Sequence, residues 1–257
     1  KAKGESATKQ LTRFPDLQPL PTRRRELIFP TGESAGGIAI FDKPMYAYRQ
    51  QEAKSYKAQG RVTVQENKWC VFYPNHNFYA NPHMLDKLPP DSFDGIEVRF
   101  ASMTNEEEGL SNKALPYLTR FKSIRVVDAD KSEMKDQAVV ALKDLPNLEI
   151  LLLFANELDG SFLKSMTGLK KLKMLAMNNN GLDTRNLKYL TNVPSVATLD
   201  VGHMRLRPVD AVGRNLVAHS VRACGQARGT EQSARAKEPE NSHHLILHKR
   251  ASPAGGP

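Results

Sequence analysis

Few residues in this chain are grouped in a way that could do chemistry. Gly32 to Gly37 reads GESAGG, glycine-rich enough to suggest a phosphate cradle whose backbone N–H groups would face an anion. No Lys-Ser/Thr pair follows it and the glycines lack the spacing of a dinucleotide-binding turn, so an ordinary loop is the better reading. His76 and His83 lie in YPNHNFYANPHML and invite a metal assignment. No carboxylate stands at a suitable helical spacing, and the flanking Asn, Pro and Tyr mark a turn-rich connector. His243, His244 and His248 form a patch suited to adventitious metal capture, with no fold to set a geometry. Cys70 and Cys224 belong to no paired-cysteine spacing; two unrelated thiols is the simpler reading and a single disulfide the other. There is no Gly-x-Ser-x-Gly elbow. No catalytic, cofactor-binding or metal residues are therefore expected, and the expected mode of action is binding.

The elements that would carry binding come from a repeat. Written in blocks of 24, residues 121 to 206 place like residues in register. The clearest row, LPNLEILLLFAN, has Leu145, Leu148, Leu151, Leu153 and Asn156; the next, LKKLKMLAMNNN, has Leu169, Leu172, Leu175, Met177 and Asn180. Weaker rows flank them, with Phe121, Ile124, Val127, Ala129 and Ser132 before and Val193, Val196, Leu199, Val201 and Met204 after. The second half of each row keeps register too, as Met134, Val139 and Leu142, then Leu158, Leu163 and Met166, then Leu182, Leu187 and Leu190. An enlarged first row starts at the alternating Ile96–Phe100 and reaches register through a five-residue insertion around Asn105–Gly109. Each row predicts a short strand with its apolar residues inward, an Asn that turns the chain and bonds the neighbouring backbone, and a returning segment outside. Ser111, Asp159 and Asp183 share the register just ahead of those returning segments, where a side-chain oxygen caps free N–H groups.

The motif L-x-x-L-x-L-x-x-N, complete at Leu148, Leu151, Leu153 and Asn156 and repeated with Met177 for one Leu, resembles the leucine-rich repeat family. The resemblance covers a little under half of the chain, from about Phe93 to about Leu206. It implies an α/β solenoid, a horseshoe of about five repeats with a parallel β-sheet on the concave face. It also implies protein–protein recognition there, since such repeats scaffold receptors, inhibitors and adaptors. Upstream, GIAIF, AYRQQ, GRVTVQ and KWCVFYP read as short strands, with a hairpin expected between Arg61–Val64 and Trp69–Phe72. This small β-rich module is similar to the strand-rich leader of some bacterial leucine-rich repeat proteins and is placed to cap the first repeat.

In that register the side chains alternating with the inward leucines face the concave side. They are Val126, Asp128 and Asp130; Ile150, Leu152 and Phe154; Met174, Ala176 and Asn178; and Thr198, Asp200 and Gly202. The expected partner-binding residues are Asp128, Asp130, Ile150, Leu152, Phe154, Met174, Asn178 and Asp200: an apolar patch with an acidic rim, suited to a partner with a basic edge and an apolar anchor. Two other readings stay open: a shifted register, or the N-terminal arm lying across the concavity so that Ile150, Leu152 and Phe154 are ordinary core.

The net charge of +9 is concentrated at the ends. Residues 1–30 and 214–257 each hold seven Lys/Arg against three acids, and the middle holds 23 against 22. Electrostatic attachment of these tails to nucleic acid or another anionic surface is the rival function; the third is a recognition fragment of a larger receptor or effector. The expected organisation is a flexible basic arm over 1–35, a β-rich capping module over 36–92, repeats over 93–213 and a disordered basic tail over 214–257. No terminal cap is legible after Leu206, so either the tail folds back, the repeats continue in a partner, or the array is truncated. The chain opens at Lys1 without Met or an apolar leader and reads as trimmed; it contains no membrane-length apolar run and no Asn-x-Ser/Thr acceptor, and its compartment and oligomeric state are not legible.

Overall fold

The computed structural model describes residues 15–17, 19–44, 53–201 and 246–248. The fold is mixed α/β, built on a nine-stranded, largely parallel sheet. Its parallel part comprises β5 (Trp69–Pro74), β6 (Gly95–Glu97), β7 (Val126–Asp128), β8 (Ile150–Leu152), β9 (Met174–Ala176) and β10 (Thr198–Asp200). Pairing follows the repeat: Val126 stands opposite Ile150, Ile150 opposite Met174 and Met174 opposite Thr198. Between strands Arg125, Glu149 and Lys173 each accept at the carbonyl from the N–H 24 residues on, all at 2.8 Å. The inward column runs Ile38, Phe72, Ile96, Val127, Leu151, Leu175 and Leu199 through successive paired strands. Leu148, Leu172 and Val196 stand two residues ahead of β8, β9 and β10, all buried in the same core.

The asparagines act as their positions require. Asn180 Oδ1 accepts from Asn156 N at 3.0 Å and Leu158 N at 3.3 Å, while its Nδ2 donates to Leu153 O at 2.8 Å. Asn156 does the same one row earlier, accepting from Ser132 N and Met134 N and donating to Ala129 O. Ser132 keeps only the donor half, its hydroxyl giving a short hydrogen bond to Val98 O. The acceptor half passes to Glu133, which receives Ser102 N and Ser102 Oγ. The ladder is thus reassigned at this row, where Ser132 stands in place of Asn; Met204, in the same position of the last row, lies outside the described residues.

After α1 (His76–Ala80), which follows β5, the returning segments are α2 (Leu110–Leu118), α3 (Asp136–Val139) followed by a 3₁₀ turn to Asp144, and 3₁₀ helices over Ser161–Gly168 and Thr184–Asn192. Asp183 caps the last of these through Arg185 N at 2.9 Å, and Asp159 accepts from Ser161 N at 2.7 Å. Ser111 corrects the capping expectation: it is buried inside α2, whose N-cap is Gly109 at φ 75°. The insertion is also corrected. Gly95 pairs with Val126, 31 residues on, so the first unit carries seven extra residues where five were expected. The difference of two preserves the inward face, because side chains alternate with period two.

Upstream, the expected hairpin does not form. β4 (Arg61–Val64) pairs antiparallel with β1 (Arg25–Ile28), and β5 pairs with β2 (Gly36–Phe41) on one side and β6 on the other. Both edges of β5 are therefore taken, which leaves no place for β4. The AYRQQ run falls outside the described residues; downstream of it β3 (Lys54–Lys57) pairs antiparallel with β2. The strand module is continuous with the repeats: Phe93 stacks on Phe72 at 5.0 Å and meets Phe121 edge-on at 4.7 Å, all within one apolar core. The segment expected as a mobile arm supplies β1, and Arg25 is buried in an ion pair with Asp94 at 2.8 Å. At the far edge β11 (Ile246–His248) pairs antiparallel with β10, so the chain's own tail returns to the last parallel strand. Among the described residues no helix is long and apolar enough to cross a membrane.

Candidate binding face

The sheet face opposite the main core carries three rows set by the strand pairing. Ahead of the strands run Asp94, Arg125, Glu149 and Lys173, one per row, with charges alternating in sign. Glu149 accepts Arg125 Nε at 2.5 Å and Lys173 Nζ at 2.5 Å, while Arg25 pairs with Asp94 at the other end. Burial pushes the Asp94 carboxyl up, against the pull of Arg25, the Cys70 N–H and Arg125. Next comes an apolar cluster of Phe41, Trp69, Val71, Val126, Ile150 and Met174, extended by Leu152 and Ala176. The Arg125 guanidinium lies 5.5 Å over the Trp69 ring.

At the strand C-termini stand Glu97, Asp128 and Asp130, with Arg99 as counter-charge. Arg99 makes a short ion pair to Glu97 and reaches Asp128 at 3.8 Å. Burial raises all three carboxyls, and for Asp130 the neighbouring Asp128 adds repulsion that brings it to about 7. Asp130 Oδ1 accepts from Phe154 N at 2.7 Å and Asp128 Oδ1 from Asp130 N at 3.1 Å, so both are tied to the strand ends. Lys131 Nζ sits 5.7 Å over the Phe154 ring.

The predicted face residues lie in these rows, but most are not open to solvent. Ile150 is 0% exposed, Met174 3% and Leu152 6%, and Asp128 and Asp200 are buried as well. Their expected exposure is corrected; Asp130, Phe154 and Asn178 are half-buried. For Ile150, Leu152 and Met174 the physical reason is the N-terminal segment. Leu17, 2% exposed, belongs to the apolar cluster, and Leu20 packs against it. Asp16 O accepts Lys173 Nζ at 3.4 Å, Pro19 O accepts Arg125 Nη1 at 2.8 Å, and Pro21 O accepts Asn67 N at 2.8 Å. Leu17, Leu20, Trp69 and the charged ladder were missed from sequence. The 24-residue spacing of Arg125, Glu149 and Lys173 was a usable signal, as was the pair of leucines in PDLQPLP.

Elsewhere, GESAGG leads into β2, where Gly36 adopts φ 142° and lies so close to Tyr73 O that a Cβ would stand 2.0 Å from it. That glycine serves strand packing. His83 pairs with Asp86 at 2.8 Å and Tyr117 at 3.3 Å, and His76 faces Glu107 at 3.6 Å. Among the described residues no three His, Cys, Asp or Glu side chains group to hold a metal ion. Cys70 is a buried free thiol whose pKa is raised by burial; Cys224, His243 and His244 lie outside the described residues.

No family model matches the chain. No curated protein matches it. Among solved structures, the chain is similar in part to the tropomodulin C-terminal domain of Caenorhabditis elegans, at 12% identity and a TM-score of 0.38, over 52% of this chain and 85% of that one.

Proposed function

We propose that this chain is a leucine-rich-repeat scaffold that binds another protein on its strand face, and that it acts by recognition, not catalysis. The observation that carries the reading is the coincidence of a 24-residue sequence period with parallel pairing of β7 to β10 and with the asparagine ladder of Asn156 and Asn180. Such stacking puts one side chain per row into each of several adjacent columns, a surface built for reading an extended partner. Asp130, Phe154 and Asn178 are the predicted contact residues at the half-open end of that surface, where a basic and apolar partner segment would meet an acid, an aromatic ring and an amide. The other five predicted residues, Asp128, Ile150, Leu152, Met174 and Asp200, are buried.

The test is capture of a partner from the native source at two salt concentrations, comparing the full chain with Phe154→Ser/Asn178→Ala. The expected result is salt-tolerant capture that the double variant loses while its thermal unfolding stays close to the parent's. Capture that disappears with salt and ignores these substitutions would assign the activity to the basic ends instead.

A further inference from the structure

The segment covering the apolar cluster is arranged as a ligand would be. Asp16, Pro19 and Pro21 give up their carbonyls in turn to Lys173, Arg125 and Asn67, so residues 15–17 and 19–21 run across the strands from β9 toward β5. Lys173 and Arg125 are two rows apart, a step of about 9.6 Å at normal strand spacing. Three residues of extended, proline-bearing chain cover about 9.3 Å. The spacing of Leu17 and Leu20 therefore matches the spacing of alternate strands, and both side chains join the cluster around Trp69, Ile150 and Met174. The grip on the main chain is through its carbonyl oxygens, held by the side chains of Lys173 and Arg125 and by the backbone N–H of Asn67, a mode that prolines in the ligand do not impair. Such a segment needs no N–H groups of its own for these contacts.

We propose that this face is a recognition groove for an extended, proline-bearing segment with leucines three residues apart, and that residues 15–17 and 19–21 fill it in cis as a displaceable strap. The inference rests on the reading of the chain as a binding scaffold and specifies its partner: a Leu-x-x-Leu segment flanked by proline, free to compete with the strap. Because the strap is tethered, a free segment binds the closed chain more weakly by the fraction of time that the groove is open.

Trp69 is the single tryptophan and lies in the groove cluster, so its emission reports occupancy. The experiment titrates the peptide PDLQPLP into the full chain and into full-length Leu17→Ser/Leu20→Ser, with the peptide carrying both serines as control. The variant's emission should be red-shifted and return to the blue on saturation with PDLQPLP, with affinity about tenfold or more above that for the parent chain. The serine peptide should have no effect. A variant that stays folded by circular dichroism yet ignores PDLQPLP overturns the proposal. Should that variant not fold, Leu17→Cys in the full chain is labelled with a thiol reagent, with the unsubstituted chain as background. Its labelling rate should rise several-fold with saturating peptide, and a flat rate overturns the proposal. Partner capture lost on Phe154→Ser/Asn178→Ala while the peptide fails to bind would sink the strap and leave the scaffold reading; peptide binding without any captured partner would do the reverse.

Discussion

Asn180 shows what one side chain does in this fold. Nearly buried, it satisfies two backbone N–H groups of the preceding row and returns its amide hydrogens to Leu153 O and Met177 O. Asn180→Ala orphans several buried backbone groups at about 1–3 kcal/mol each, so a loss on the order of 3 kcal/mol is expected in urea unfolding. Asp130 carries a different consequence. Its folded pKa of about 7 lies above its ordinary value of 3.8, so the native state holds the proton more tightly than the unfolded chain. Stability from this group is fully present below about pH 4 and is lost as pH rises toward 7, and the raised Glu97 and Asp128 act in the same direction. Asp130→Asn keeps an oxygen for Phe154 N and removes the charge. The melting temperature of that variant relative to the parent should climb between pH 4 and 7, and parallel curves would refute the assignment.

At the scale of elements, each of the strands β6 to β10 is only three residues long and depends on being covered on both faces. Leu151 looks into the main core, and Leu152 into the cluster beneath the strap. Leu152→Ala should cost about 2–4 kcal/mol, as for an interior leucine, whereas half-exposed Phe154→Ala should cost less than half as much; equal losses would mean that the two share one environment. The β2–β5 pairing turns on Gly36, whose φ of 142° and contact with Tyr73 O admit no Cβ. Gly36→Ala is expected to lower stability by on the order of 3 kcal/mol or more, measured by thermal melting, because backbone strain and a main-chain clash add together.

Across the whole molecule, one apolar core runs from Leu27 in β1 to Val201 after β10, joined by the Phe72–Phe93–Phe121 stack. A single cooperative transition is expected, with Trp69 fluorescence and far-ultraviolet circular dichroism giving coincident denaturant curves; separated midpoints would show that the strand module and the repeats unfold independently. The sequence by itself determined the row length, the inward residues from Phe121 to Val201, the asparagine positions and the alternate set facing the other way. It could do so because each property is local, repeated every 24 residues and enforced by side-chain alternation. Whether that alternate set meets water was beyond it. Ile150, Leu152 and Met174 look the same in sequence whether a partner or the chain itself covers them. The cover comes from Leu17, more than a hundred residues away, in a segment with no period of its own. Strand partnership was equally non-local. Arg61–Val64 and Trp69–Phe72 read as neighbours until β1 and β6 compete for their edges, and only tertiary structure decides that competition.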